Sequence, residues 1–226
     1  MNPAENQDAP CYDVVVIGGA LSGPATATLL LRQNSGLRVL IVEKSAQPTR
    51  RVGEATVEVS AFFMGSILGL TQYLNESHLV KQGLRFWFTN DAVKSLDEAS
   101  ELGGHYQVRL LSYQLDRAAF DEEVLRRACA AGAELLRPGT VTKVELSPGG
   151  EQAITVRHNE AVKTVRARWI VDASGVAALL ARKEGWWRQN AEHPTAAAWS
   201  RWKGSAMLFR LAKIAQISRA ISTASP

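Results

Sequence analysis

Gly18, Ala20 and Gly23 stand at the spacing of a G-x-G-x-x-G turn, with Ala20 in the second place and Gly19 and Ser22 completing the loop. In such a turn the first glycine permits a tight bend off a strand. The second lets backbone approach a diphosphate, and the third lets the next helix pack close to the strand. The phosphates then sit at the positive N-terminal end of that helix. Glu43 follows Gly23 by 20 residues, with Lys44 beside it, and an acid at that distance can accept hydrogen bonds from a ribose. The chemistry implied is recognition of a dinucleotide. The plainer alternative is a strand, turn and helix with no ligand. The methyl group of Ala20 adds bulk at the most crowded place.

The flanking segments fit a βαβ unit. Residues 13–17 form an apolar run with three valines and read as a buried parallel strand. Residues 24–32 read as a helix, with Pro24 tolerated in its first turn. Residues 38–42 read as a second strand with Glu43 at its end. Residues 52–74 are apolar and partly helical in pattern. Residues 84–89 and 105–111 read as strands flanking an acidic surface loop at 90–101. The clearest helix is 116–131. Asp116 is its N-cap, acids fall in its first half, Arg126 and Arg127 in its second, and Gly132 stops it.

Three alternating segments at 141–146, 153–157 and 162–167 are separated by Pro148-Gly149-Gly150 and Asn159-Glu160, which predicts an antiparallel meander. Residues 169–171 read as a further buried apolar strand ending at Asp172-Ala173-Ser174-Gly175. The expected fold is α/β: a Rossmann-like parallel sheet with an inserted three-stranded antiparallel β-meander.

Composition narrows the function classes. The 226 residues are 46% hydrophobic and 21% charged, as in an ordinary globular protein. A net charge of +4 without a dense Lys/Arg stripe argues against nucleic acid as a partner. Cys11 and Cys129 form no metal-ligand or disulfide pattern, and neither do His78, His105, His158 and His193, so no metal is expected. With no secretory signal and no transmembrane run, a cytoplasmic location is the expectation.

The fingerprint alone does not separate FAD from NAD. Tyr113-Gln114-Leu115-Asp116-Arg117 with Phe120-Asp121, and Asp172-Ala173-Ser174-Gly175, resemble elements of glutathione-reductase-type flavoproteins. More narrowly, residues 12–204 resemble the flavin-dependent tryptophan-halogenase family and its monooxygenase and geranylgeranyl-reductase relatives. Arg51-Val52-Gly53-Glu54-Ala55-Thr56 looks like the segment opening the loop near the flavin ring. Lys81-Gln82-Gly83-Leu84-Arg85-Phe86 resembles the Lys-x-Gly-x-x-Phe element that carries the halogenase active-site lysine.

The resemblance implies FAD as cofactor, a small organic substrate and a flavin reductase as partner. It assigns Gly53, Glu54, Ala55, Arg117, Asp172 and Gly175 to the cofactor. Lys81 would hold or relay a hypohalous species to an aromatic ring. Plainer readings stand beside these. Arg117 could pair with Asp121 one helical turn away. Asp172 could shape a turn, Glu54 could be a solvated loop acid, and Lys81 a surface lysine.

Two departures accompany the resemblance. The Trp-x-Trp-x-Ile-Pro element of halogenases is missing, since Trp199-Ser200-Arg201-Trp202 has another spacing. Family members are also longer, which makes a truncated product the expectation. The expected organisation is a disordered lead-in at 1–11, an incomplete FAD-binding domain at 12–204, and a basic, helical tail at 205–226. The function expected is FAD-dependent oxidation or halogenation. The alternatives are an isoprenoid reductase and a catalytically silent FAD-binding fragment.

Overall fold

A computed structural model describes residues 9–81, 83–88, 90–93, 95, 98–103 and 110–192. One compact unit closes at Arg188 and a second begins at Gln189. Only residues 189–192 of the second are described, and they are exposed. The expected helical tail at 205–226 lies outside the described residues, as do Trp199 and Trp202.

The first unit opens with strand β1 (Cys11–Ile17), helix α1 (Ser22–Gln33) and strand β2 (Val39–Val42). Cys11 therefore belongs to β1 rather than to a lead-in. Short helices α2 (Glu58–Phe62) and α3 (Thr71–Ser77) follow, joined through a π-turn at Phe63–Ile67. Next come strands β3 (Leu79–Lys81), β4 (Arg85–Phe88), β5 (Ser100–Gly103) and β6 (Ser112–Gln114), then helix α4 (Arg117–Ala130). Strands β7 (Glu134–Leu136), β8 (Gly139–Glu145), β9 (Gln152–His158) and β10 (Ala161–Asp172) complete the sheet, and α5 (Leu179–Lys183) follows.

Six strands form one sheet in the order β7-β2-β1-β10-β9-β8. The neighbours from β7 to β10 are parallel, and those from β10 to β8 antiparallel. The meander predicted from the turns is present, with one correction. Its third strand and the segment at 169–171 are a single 12-residue strand. Arg166 and Ala167 pair with β9 on one side and with β1 on the other. The correction extends to burial, since Trp169 is 69% exposed.

Alternation along β1 sends Val14 and Val16 to one face and Val15 and Ile17 to the other. The first face packs on Ala27 and Leu31 of α1 and Leu125 and Ala128 of α4. The second shares a cluster with Val144, Ile154 and Val156 of the meander. The other sides of α1 and α4 meet Met64, Leu70, Leu74 and Tyr113 in a third cluster around Phe120.

The middle of the chain departs from expectation. Strand β5 occupies the end of the segment predicted as an acidic loop. The strand predicted at 105–111 lies mostly outside the described residues, and Leu110 and Leu111 are not strand. Three-residue strands such as β3 and β6 are too short to show a period of two. They pair with each other, Lys81 opposite Ser112. Among the described residues no helix is long and apolar enough to cross a membrane.

Phe120 is fully buried in the third cluster. Phe120→Ala is expected to lower the unfolding free energy by about 3–5 kcal/mol, read from urea denaturation.

Candidate functional site

The turn after β1 is held by contacts that leave no room for side chains. Gly18 has φ +119, and a Cβ there would lie 2.3 Å from the carbonyl oxygen of Ala173. A Cβ on Gly23 would lie 1.9 Å from the carbonyl oxygen of Gly18. Both positions demand glycine, the first for its backbone angle as well. The Gly18 amide donates to the Val42 carbonyl at 2.9 Å, and Ala173 N donates to Ile17 O at 2.9 Å. The carboxyl ends of β1, β2 and β10 therefore meet at this turn, with Ile17 level with both Val42 and Asp172.

Glu43 closes one side of the turn. Its carboxylate accepts from Gly19 N at 2.7 Å and from Ser45 N at 2.7 Å. Burial pushes its pKa up. The amides of Ser45 and Gly19 and the charge of Arg51 outweigh that, and the net direction is down. A narrow cleft leads from here, lined by Gly19, Ala20, Glu43, Arg51, Asp121 and Arg137. Lys44 is exposed.

Helix α1 starts without a side-chain cap of its own and without an acid in its first turn. Leu21 N at its start donates instead to Asp121 Oδ1 at 3.3 Å. Asp121 is buried and receives a two-pronged contact from Arg117, with Nε at 3.1 Å and Nη2 at 3.0 Å. Arg51 Nε lies 3.7 Å from the same carboxylate. Arg117 Nη1 also donates to the carbonyls of Val52 and Gly53, at 3.3 and 3.4 Å. The one-turn pairing of Arg117 with Asp121 is thus present, and it ties α4 to the Gly53 loop as well. Asp121 carries more of this site than the sequence reading assigned to it. The signal was available: a helical acid one turn after Arg117.

The remaining predicted residues fall into two groups. Asp172 accepts from Ser174 N at 3.1 Å and Leu180 N at 2.7 Å, shaping its own turn. Burial raises its pKa, and the hydrogen bonds from Ser174 and Leu180 more than reverse that. Gly175 is exposed with φ +66 and open space where a Cβ would sit. Ala20 is partly buried and Ser22 exposed.

The second group gathers around β6. Glu54 is 7% exposed, so it is no solvated loop acid, and its carbonyl accepts from Leu115 N at 2.8 Å. Ala55 bridges to Gln114. Lys81 Nζ donates to the Thr56 carbonyl at 2.7 Å, which places the lysine against the Gly53–Thr56 segment. Thr56 itself exchanges two 2.8 Å hydrogen bonds with the backbone of Tyr113. Among the described residues no cluster of His, Cys, Asp and Glu could hold a metal. A far larger open hollow, about 840 Å³, lies between the β8–β9 turn and Trp169 and Trp186, and no fingerprint residue lines it.

Comparison with known proteins places the chain in a family. The profile of the FAD dependent oxidoreductase family matches residues 13–224, running past Ser205. FixC of Rhizobium meliloti is 31% identical over 77% of this chain and 39% of its own length. The flavin-dependent halogenase chlA of Dictyostelium discoideum is 33% identical over 54% of this chain and 22% of its own. The halogenase PltM, solved in complex with phloroglucinol and FAD, superposes with a TM-score of 0.63 at 25% identity. That match covers 77% of this chain and 36% of PltM. The chain thus spans well under half the length of each.

Glu43 generates a test of the site's electrostatics. Its folded pKa is lowered, so its contribution is complete above the ordinary value of 4.5 and is lost as pH falls through the folded value. The stability gap between the wild type and Glu43→Gln is expected to narrow as pH drops below 4.5, in urea titrations. A constant gap would contradict this.

Proposed function

Because the chain belongs to the FAD-dependent oxidoreductase family, we propose that its glycine turn holds the diphosphate of FAD, in an oxidoreductase of the halogenase type acting on a small organic molecule. One observation carries this reading. The turn at Gly18–Gly23 has backbone where side chains would be, opens a helix with no cap or acid of its own, and has Glu43 at its lip.

The residues present fit the cofactor. The start of α1 would turn a positive helix end toward a diphosphate. Glu43, its carboxylate held by the Gly19 and Ser45 amides, would accept from a ribose hydroxyl. Arg117 would steady the Gly53 loop against the cofactor, through its bonds to Val52 and Gly53. Asp172 and Gly175 would form the opposite wall, where ligands gather outside the carboxyl ends of parallel strands.

Bound FAD, once reduced, supplies the reaction with O2 that protein side chains cannot perform. In this proposal the reducing equivalents come from a separate flavin reductase. Lys81 is the catalytic residue. Its ammonium is fixed by the Thr56 carbonyl, so the charge is presented at a set place beside the Glu54–Thr56 segment. From there it would hold an electrophilic halogen species and direct it to an aromatic substrate.

Two outcomes check the proposal. Incubation with FAD followed by desalting is expected to leave flavin absorbance with the protein, and Glu43→Ala to weaken binding by about tenfold, for loss of a charged hydrogen-bond acceptor. With FAD, a flavin reductase, O2, halide and an aromatic substrate, halogenated product is expected, and Lys81→Ala should abolish it while retaining flavin. Product formation unchanged by Lys81→Ala would sink the catalytic assignment.

A further inference from the structure

We propose that His78 is a positioning residue that joins the cofactor-side helix α4 to the strand carrying Lys81, and that it does so only as a neutral imidazole. Its effect on FAD rests on the function proposed above; its effect on the protein does not.

His78 sits at a junction. Its backbone amide ends α3 by donating to Leu74 O at 3.1 Å. The next residue begins β3, and Lys81 lies three positions on. Its ring Nδ1 accepts from the backbone N–H of Asp116 at 3.2 Å. Asp116 is the N-cap of α4, its side chain accepting from Ala118 N at 3.1 Å, and Arg117 is the first residue of that helix. One imidazole therefore spans the start of α4 and the start of β3.

A backbone N–H can only donate, so Nδ1 must offer its lone pair and the proton must sit on Nε2. Protonation would set two donors face to face and eject the contact. The ring has little freedom to adapt. It is 9% exposed and packs edge-on against Tyr73 and Phe120, with centroids 5.2 and 5.8 Å away. Among the described residues, Nε2 is buried without a hydrogen-bond partner. A charged ring would thus have neither N–H paired, a costly arrangement in a buried place.

The groups facing the ring are few. From α3 comes the Tyr73 phenol; Phe120 of α4 is uncharged. The Asp116 carboxylate favours the charged form, but Arg50 stands 3.6 Å from it. Burial is the larger influence and pulls the His78 pKa below its ordinary 6.5. The sign follows. Stabilisation by His78 is complete above 6.5 and is lost as pH falls from there through the folded value.

The test uses the whole chain and the variant His78→Asn, whose carboxamide oxygen can stand where Nδ1 stands and does not titrate. As pH is lowered below 6.5 through the value at which the folded ring protonates, the FAD dissociation constant of the wild type should rise about fivefold, as expected for loss of one hydrogen bond. For His78→Asn it should stay flat. His78→Leu, with no acceptor, should bind weakly throughout. In the chain without FAD, nitrogen NMR should find the His78 proton on Nε2 at neutral pH, and wild-type stability should fall with pH more steeply than that of His78→Asn. A proton on Nδ1, or identical pH profiles for wild type and His78→Asn, would overturn the proposal. Failure to bind FAD at any pH would instead overturn the cofactor reading, and the two measurements without FAD would still decide the role of His78.

Discussion

The Gly18 carbonyl and the Cα of Gly23 approach so closely that a single methyl group between them would sit 1.9 Å from the oxygen. This crossing sets the distance between β1 and α1, and much of the rest follows from it. With α1 drawn against the sheet, Ala27 and Leu31 can reach Val14 and Val16. The start of the helix is brought to the same turn where the ends of β1, β2 and β10 meet. A bulkier turn would push α1 outward and uncouple the helix end from the strand ends.

Two carboxylates complete that geometry from opposite sides. Glu43 holds the Gly19 amide and Asp121 the Leu21 amide, so the turn is oriented by charge-assisted bonds from the residue that follows β2 and from α4. Asp121 is 4% exposed and is compensated by the two-pronged Arg117 contact, with Arg51 nearby. A buried carboxylate needs such partners, because an unpaired charge there costs several kcal/mol. The pairing extends outward: Arg117 grips the Gly53 loop, that segment meets β6 through Ala55 and Thr56 and the following Leu115 through Glu54, and Lys81 closes onto Thr56. The glycine-turn side and the lysine side are parts of one hydrogen-bonded frame.

Much of this frame was legible from residue types. The G-x-A-x-x-G spacing, the valine run and Glu43 identify the βαβ unit, because each depends on local backbone geometry that leaves a mark in sequence. The α4 helix was equally plain, from Asp116 as cap to Gly132 as stop. What could not be read depended on distant partners. That β10 is continuous through Arg166 and Ala167 is decided by pairing with both β9 and β1, and nothing in the local pattern marks where one partner yields to the other. Trp169 looked like a core residue because it is apolar, yet the sheet leaves it exposed. Strands β3 and β6 are too short to carry a period. The bonds between Asp121 and Leu21 and between Asp116 and His78 reach residues 100 and 38 positions away, and no local pattern marks them.

The central claim is that a diphosphate docks at the Gly18–Gly23 turn. Hydrogen–deuterium exchange of the chain with and without FAD measures it directly. The account predicts slower exchange on adding FAD, concentrated in the amides from Gly18 to Ala25 and around Glu43 to Ser45. Protection confined to other segments, such as the hollow beside Trp169 and Trp186, or binding with no protection at the turn, would contradict it.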